Sequence, residues 1–352
     1  MKIALIHAYS SLNSGDGLLV DESLALARQA FGSDATIDLF ASQPDSFGDG
    51  FAAIYKTIPG RFGYDRQYIK QIRKLDEYDF ILAVGGGYLR GGTPMELAKM
   101  LLVHGPQLFF ASRARTASVY LPQSIGPLRF GIRPLIRRYL RNIDYVVARD
   151  GRTVQELELK NVERRPDLAV SAATGLECRE NDVEGLPILS VRAIRGKLPP
   201  LVRELANQLG EYDTYIQSRT RGNDDTSVTS ELPAVREVER DELLRSKTAR
   251  VVVAVRLHAA LMAIQAGHFV IHLAYERKGF GAFDDFGIPE YVHNVNSFDP
   301  ALVRYQVHSL QNSAIERKRY FESVQKVRMR SSFERTSIAN MMRKLAQQDQ
   351  GV

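Results

Sequence analysis

The sequence predicts an α/β protein made of two parallel-sheet units, and three observations carry that reading. Short apolar runs rich in β-branched residues alternate with helical stretches along the whole chain. The length of 352 residues is more than twice the ~150 that one ordinary core holds. The alternation breaks once, in the polar stretch Glu177–Gly185 ahead of Pro187, and then restarts.

Taken in order, Ile3 to His7 reads as a buried strand and Asp16 to Phe31 as a helix with Leu18, Leu19, Leu24 and Leu26 among its apolar residues. Phe80 to Val84 is a strand stopped by Gly85-Gly86-Gly87, and Pro94 to Phe110 is helical. Ala117 to Leu121 is a strand, Ile132 to Asn142 a helix, Tyr145 to Ala148 a strand and Gly151 to Leu159 a helix. Beyond the break, Ile188 to Val191, Tyr212 to Gln217, Val251 to Val255 and Phe269 to Leu273 read as strands. Leu201 to Leu209, Leu257 to Ala266 and Leu302 to Leu310 read as helices. The expected division is a first domain over 1–178, a second over 186–314, and a basic amphipathic helix over 315–352. That helix is expected to pack back on the first domain, with membrane contact as its alternative. Two such units imply a cleft between them, and ligands of such folds sit beyond the carboxyl ends of the strands.

Composition narrows the partners. The formal net charge is +6, yet the arginines are spread along the chain, with no basic tail and no nucleic-acid motif. Anionic small substrates, near a membrane or not, fit this balance better than nucleic acid. The single cysteine, Cys178, excludes an intramolecular disulfide framework and fits a reducing, cytoplasmic setting. The most apolar stretch, Val251 to Tyr275, carries Arg256, His258, His268 and His272 and makes a poor membrane span. His7, His104, His268, His272, His293 and His308 lack metal-ligand spacing and are read as structural, so no metal is expected.

Four motifs follow strands. Asn13-Ser14-Gly15-Asp16-Gly17 sits at a helix start, where free N–H groups suit an anion; a capped turn is an equal reading. Gly85-Gly86-Gly87-Tyr88 lets backbone approach a ligand, or relieves crowding between strand and helix. Gln123-Ser124-Ile125-Gly126-Pro127 offers an amide, a hydroxyl and a bend, against the reading of a plain loop. No nucleophile elbow surrounds Ser124. Arg256-Leu257-His258 ends an apolar strand with a guanidinium that can fork an anion and an imidazole that can carry a proton. Arg149-Asp150, Arg192 and Tyr275-Glu276-Arg277-Lys278 each add a cation at a strand end.

In this order the pieces Asn13-Ser14-Gly15-Asp16, Val84-Gly85-Gly86-Gly87, Gln123-Ser124-Ile125-Gly126-Pro127, Ala148-Arg149-Asp150, Ser190-Val191-Arg192 and Val255-Arg256-Leu257-His258-Ala259 resemble the polysaccharide pyruvyl transferase family. Tyr275 to Lys278 is similar to its Tyr-x-x-Lys, and the likeness runs from the first strand to about Tyr291. The resemblance implies two Rossmann-like domains facing across a cleft, as in B-type glycosyltransferases. It implies phosphoenolpyruvate as co-substrate with no further cofactor, a sugar diol or lipid-linked sugar as acceptor, and a pyruvate ketal with released phosphate as products. Such ketals belong to exopolysaccharide and cell-wall polymers. It leaves open peripheral contact with the cytoplasmic membrane face and homo-oligomers.

On this view the catalytic residues are His258, Arg256 and Asp16. Arg256, with Arg149 or Arg192, would hold the anionic groups, His258 would move the proton, and Asp16 is a second base. Substrate binding would draw on Asn13, Gly15, Gly86, Gly87, Gln123, Ser124, Gly126, Arg149, Arg192 and Lys278. Many members carry an acidic or larger residue where this chain has Gly17, and Asp224 to Val235 matches nothing in the family pattern. The rival readings are a nucleotide-sugar glycosyltransferase on the same plan and a non-catalytic sugar- or nucleotide-binding module.

Overall fold

The computed structural model describes residues 1–167, 183–219 and 224–349. The stretch 168–182, with Cys178 and most of the expected linker, lies outside the described residues. The chain divides into two compact units: Met1–Ser11, Asp16–Leu168 and Phe333–Val352 form the first, Leu12–Gly15 and Ala169–Ser332 the second.

The first unit carries, among its described residues, a seven-stranded sheet. Its strands are β1 (Lys2–Ala8), β2 (Thr36–Ala41), β3 (Ala53–Lys56), β4 (Phe80–Ala83), β5 (Ser118–Gln123), β6 (Tyr145–Ala148) and β7 (Val162–Arg164), ordered β3-β2-β1-β4-β5-β6-β7 and parallel throughout. Parallel strands are covered on both faces, so successive side chains of β1 enter two separate cores. Ile3 and Leu5 point into one, Ala4 and Ile6 into the other. The helix Ala314–Asp349 completes the first of these cores with Ile338, Ala339, Met342 and Ala346.

The second unit carries, among its described residues, a five-stranded parallel sheet of β8 (Ile188–Ser190), β9 (Asp213–Thr214), β10 (Val251–Ala254), β11 (Phe269–Ala274) and β12 (Val292–Asn294), ordered β12-β11-β10-β8-β9. Every residue of β10 and β11 is buried, which explains why β10 is wholly apolar and β11 is apolar but for His272. Here the earlier part of the Ala314–Asp349 helix packs on the sheet, where Tyr320 Oη bonds the amide and carbonyl of Val270 at 3.0 and 3.1 Å.

Four strands escape sequence reading. β3, β7 and β12 lie at sheet edges and are partly exposed, which erases the apolar run. β2 is interior but carries buried Asp38, which accepts from Tyr78 Oη at 2.7 Å. The helix Arg66–Ile72 is likewise unannounced. The expected strand Tyr212 to Gln217 shrinks to Asp213–Thr214.

The expected helix from Pro94 to Phe110 is three pieces: Pro94–Lys99, a π-helical turn Met100–His104, and Gly105–Ala111. Pro106 has no N–H for the carbonyl of Leu102, and that carbonyl accepts from Tyr64 Oη at 2.6 Å instead. Among the described residues no helix is long and apolar enough to cross a membrane.

Candidate functional site

In the second unit β11, β10 and β8 are neighbours and parallel, so their carboxyl ends form one continuous edge. The chain leaves these ends through Tyr275, Arg256 and Arg192 respectively. Arg256 stands immediately before the helix Leu257–Gln265, in extended conformation, and its side chain turns inward: Arg256 is 7% exposed.

Its partner is Asp225. Nε donates to Oδ2 at 2.5 Å and Nη2 to Oδ1 at 2.7 Å, a fork-to-fork pair. The sequence expects this fork to meet a substrate anion; in the protein it meets an acid of the same unit. The reason is electrostatic: a guanidinium removed from water needs a counter-charge. Asp225 precedes the short helix Thr226–Thr229, and its carbonyl accepts from the amide and hydroxyl of Thr229. Burial pushes the Asp225 carboxyl up from its ordinary range, against the pull of Arg256 and Arg192.

Arg192 lies with its guanidinium 4.8 Å above the Tyr275 ring and donates to the Tyr275 hydroxyl. Both residues are half-buried. Lys278, in the helix Arg277–Asp285, pairs with Glu276 at 3.1 Å. His258 is the second residue of the helix that Arg256 begins, and it is half-buried. The structure therefore brings Arg192, Arg256 and Tyr275 to one sheet edge and adds Asp225, which sequence reasoning missed. Asp225 belongs to none of the motifs read from the sequence; its only signal there is the need of a buried arginine for an acid.

Asn13 and Gly15 belong to Leu12–Gly15, which groups with the second unit, where Asn13 bridges Ser218. Asp16 opens the first-unit part of the helix Ser14–Phe31 and sits in its first turn, where a carboxylate suits the helix dipole. Gly17 is explained by packing: a Cβ there would lie 3.2 Å from the Ser11 Cα.

The remaining motifs of the first unit meet at the carboxyl ends of β4, β5 and β6. Gly86 takes φ +150°, and its carbonyl accepts from the amide of Ser124 at 2.8 Å. A Cβ on Gly87 would come 3.4 Å from an Arg149 nitrogen. Gly126, at φ +101°, faces the Glu156 side chain. Arg149 donates to Ser124 Oγ at 2.7 Å and to Asp167 at 2.5 Å, while Ser124 donates to Asp150 at 2.6 Å. Asp150 in turn caps the helix Gly151–Leu157 through the Thr153 amide. Ser124 and Arg149 are thus tied into a network of their own unit. Gln123 donates to Tyr88 Oη at 2.6 Å, and its buried Oε1 accepts no hydrogen bond among the described residues.

Beneath Tyr88 lies a buried group that the sequence left as isolated histidines. The Tyr88 ring packs against both His7 and His104, at 4.5 and 4.6 Å, the two imidazoles touch each other at 3.2 Å between their Nδ1 atoms, and His7 Nε2 contacts Tyr120 Oη at 3.0 Å. Burial pushes the His7 ring well below its ordinary range, helped by His104, and takes His104 down to about 3.

Solved structures share this architecture. Anabaena HepE, solved with UDP and glucose, superposes with a TM-score of 0.59 at 11% identity, over 97% of this chain and 98% of that one. A glycosyltransferase from Rickettsia africae ESF-5 gives 0.59 at 9% identity, over 98% of both chains. The UDP-GlcNAc 2-epimerase of Methanocaldococcus jannaschii gives 0.53 at 10%, over 89% of this chain and 93% of that one. At these identities the likeness is one of fold, that of B-type glycosyltransferases with two Rossmann-like domains. No curated protein matches the sequence. The family model for polysaccharide pyruvyl transferase matches residues 13–226, more than half of the chain, and ends before Arg256. With the motifs of that span placed at the strand ends where the pattern expects them, the chain belongs to the polysaccharide pyruvyl transferase family.

Proposed function

We propose that this protein moves the pyruvyl group of phosphoenolpyruvate onto two hydroxyls of a sugar, in a polysaccharide or its lipid-linked precursor. Family membership supports a transferase acting on polysaccharide. The observation that carries the donor is the edge formed by Arg192, Tyr275, Arg256 and Asp225: two guanidinium groups on adjacent parallel strands suit a ligand with a carboxylate and a phosphate.

Because Asp225 occupies the Arg256 fork, the direct contact to the donor falls to Arg192 at the exit of β8, with Lys278 beyond the exit of β11 as a second cation. Arg256 then acts by holding Asp225, and the start of the short helix it precedes, in place at this edge. A proton goes to the methylene carbon of phosphoenolpyruvate and leaves an oxocarbenium-like centre, which one sugar hydroxyl attacks. The carbon–oxygen bond to phosphate breaks, and the second hydroxyl closes the ketal. Of the two hydroxyl protons lost, one balances the new methyl hydrogen and the other leaves with hydrogen phosphate. His258 is the group assigned to proton transfer, and Asp16 the second candidate base.

One observation favours a second reading: the fold is that of enzymes solved with nucleotide sugars or their parts. The decisive experiment incubates the purified chain with phosphoenolpyruvate or UDP-glucose and a panel of sugar acceptors. Acceptor-dependent phosphate release with a mass gain of one pyruvic acid less one water on the sugar supports the proposal. Release of UDP with no phosphate from phosphoenolpyruvate would sink it in favour of the glycosyltransferase.

A further inference from the structure

The first unit carries a surface that the site at the strand ends does not account for. The helix Arg66–Ile72 buries Tyr68 and Ile72 and turns Arg66, Lys70 and Arg73 outward, at the spacing of one helix face. These three line a shallow groove with Tyr64, Ile69 and Lys74. Lys74 pairs with Glu77, but among the described residues Arg66, Lys70 and Arg73 have no ion-pair partner. The one acid at the helix start, Asp65, is spent on capping the amides of Gln67 and Tyr68.

Apolar side chains border these charges. Gly60 and Gly63 close a tight turn by two reciprocal backbone bonds of 2.8 and 3.2 Å. Arg61 and Phe62 stand at its tip, and Phe62 is 98% exposed. On the other side Tyr64 Oη reaches the carbonyl of Leu102, in the π-helical turn. Leu101 and Leu102 of that turn are 41% and 53% exposed. A phenylalanine held out in water on a rigid turn gains nothing from the fold itself.

We propose that this surface docks the protein on an anionic lipid bilayer, with Arg61, Arg66, Lys70 and Arg73 against the headgroups and Phe62 entering the acyl boundary. Charge complementarity selects the occupant: uncompensated cations around an aromatic tip fit anionic headgroups over a hydrocarbon layer. An acidic protein would match the charges but gives Phe62 no hydrocarbon, and an RNA would be expected to meet stacked aromatics within a groove, not one on a protruding tip.

The test needs neither donor nor acceptor, so it stands or falls apart from the catalytic proposal. The full chain is mixed with vesicles of phosphatidylcholine alone, or of phosphatidylcholine with phosphatidylglycerol, and sedimented. Binding is expected to the mixed vesicles only, and to weaken as salt rises. The double variant Lys70→Gln, Arg73→Gln is expected to lower affinity about fivefold per charge, ~25-fold together. Phe62→Ser is expected to lower it about tenfold more, while the circular dichroism spectrum of each variant stays that of the parent. Equal binding to both vesicle types, no binding to either, or binding that both variants leave intact would overturn the proposal. Retention on single-stranded RNA through the same residues, without vesicle binding, would do so too.

Discussion

At the scale of single residues, the pair Arg256–Asp225 couples stability to function. Both side chains are out of water, so removing one strands the other. Arg256→Ala should cost about 3–5 kcal/mol of unfolding free energy, read by denaturant titration. That loss confounds any activity assay of the same variant, so Arg192 and His258 are the better probes of chemistry. Arg192 spreads a planar guanidinium over Tyr275 and bonds its hydroxyl at the same time, a combination that the compact ammonium of lysine does not reproduce. Arg192→Lys should raise the KM for phosphoenolpyruvate about tenfold or more with little change in melting temperature, the scale of a lost charged hydrogen bond. His258→Ala should lower kcat by ~10²-fold or more at unchanged fold. Full activity in that variant would remove His258 from the mechanism, and an unchanged KM in the Arg192 variant would move the anion elsewhere.

At the scale of elements, the helix Arg277–Asp285 shows how tightly a strand end is packed. Gly279 lies against the buried His272 ring of β11, and a Cβ there would fall 2.7 Å from the ring's Cδ2 and 2.9 Å from the Ala274 Cβ. Gly279→Ala should therefore destabilise by ~1–3 kcal/mol despite the better helix propensity of alanine. The same ring makes stability depend on pH. Burial takes His272 down to about 4, against the pull of the Ala254 carbonyl on its Nδ1. Unfolded, the ring takes a proton near pH 6.5. Between pH 6.5 and about 4 the unfolded chain binds a proton that the native ring refuses, so stability is full above pH 6.5 and falls on acidification. His104, down to about 3, acts in the same direction in the first unit. Each ring contributes a slope of up to about 1.4 kcal/mol per pH unit, which unfolding titrations between pH 7 and 4 would measure. Stability that is flat over this range would mean the rings titrate normally.

At the scale of the whole molecule, each unit is completed by segments distant in sequence. The first core closes only with Ile338, Ala339, Met342 and Ala346 near the chain's end, and Arg335 and Glu334 pin that stretch to Glu22 and Arg165. Met342→Ala should cost about 2–5 kcal/mol, as a large core side chain does, and it should do so without touching a strand end. Removing residues 333–352 should leave the first unit unable to fold cooperatively, seen as loss of a sharp thermal transition. A first unit that melts as sharply without this stretch would show that the helix is an appendage.

How far the chain could be read in advance follows from where its information lies. The alternation of apolar runs with helical stretches determined the α/β class, the parallel sheets and the strand ends that carry the motifs, because buried parallel strands must be apolar on both faces. The edge strands β3, β7 and β12 left no such mark, because one side of each meets water. The motif order also sufficed for the family. What only the tertiary structure decided is which charges meet. The acid facing Arg256, the tie of Arg149 and Ser124 into one network, and the joining of His7, Tyr88 and His104 unite residues 16 to 97 positions apart. Periodicity records whether a residue faces the core; it carries no trace of the partner it finds there.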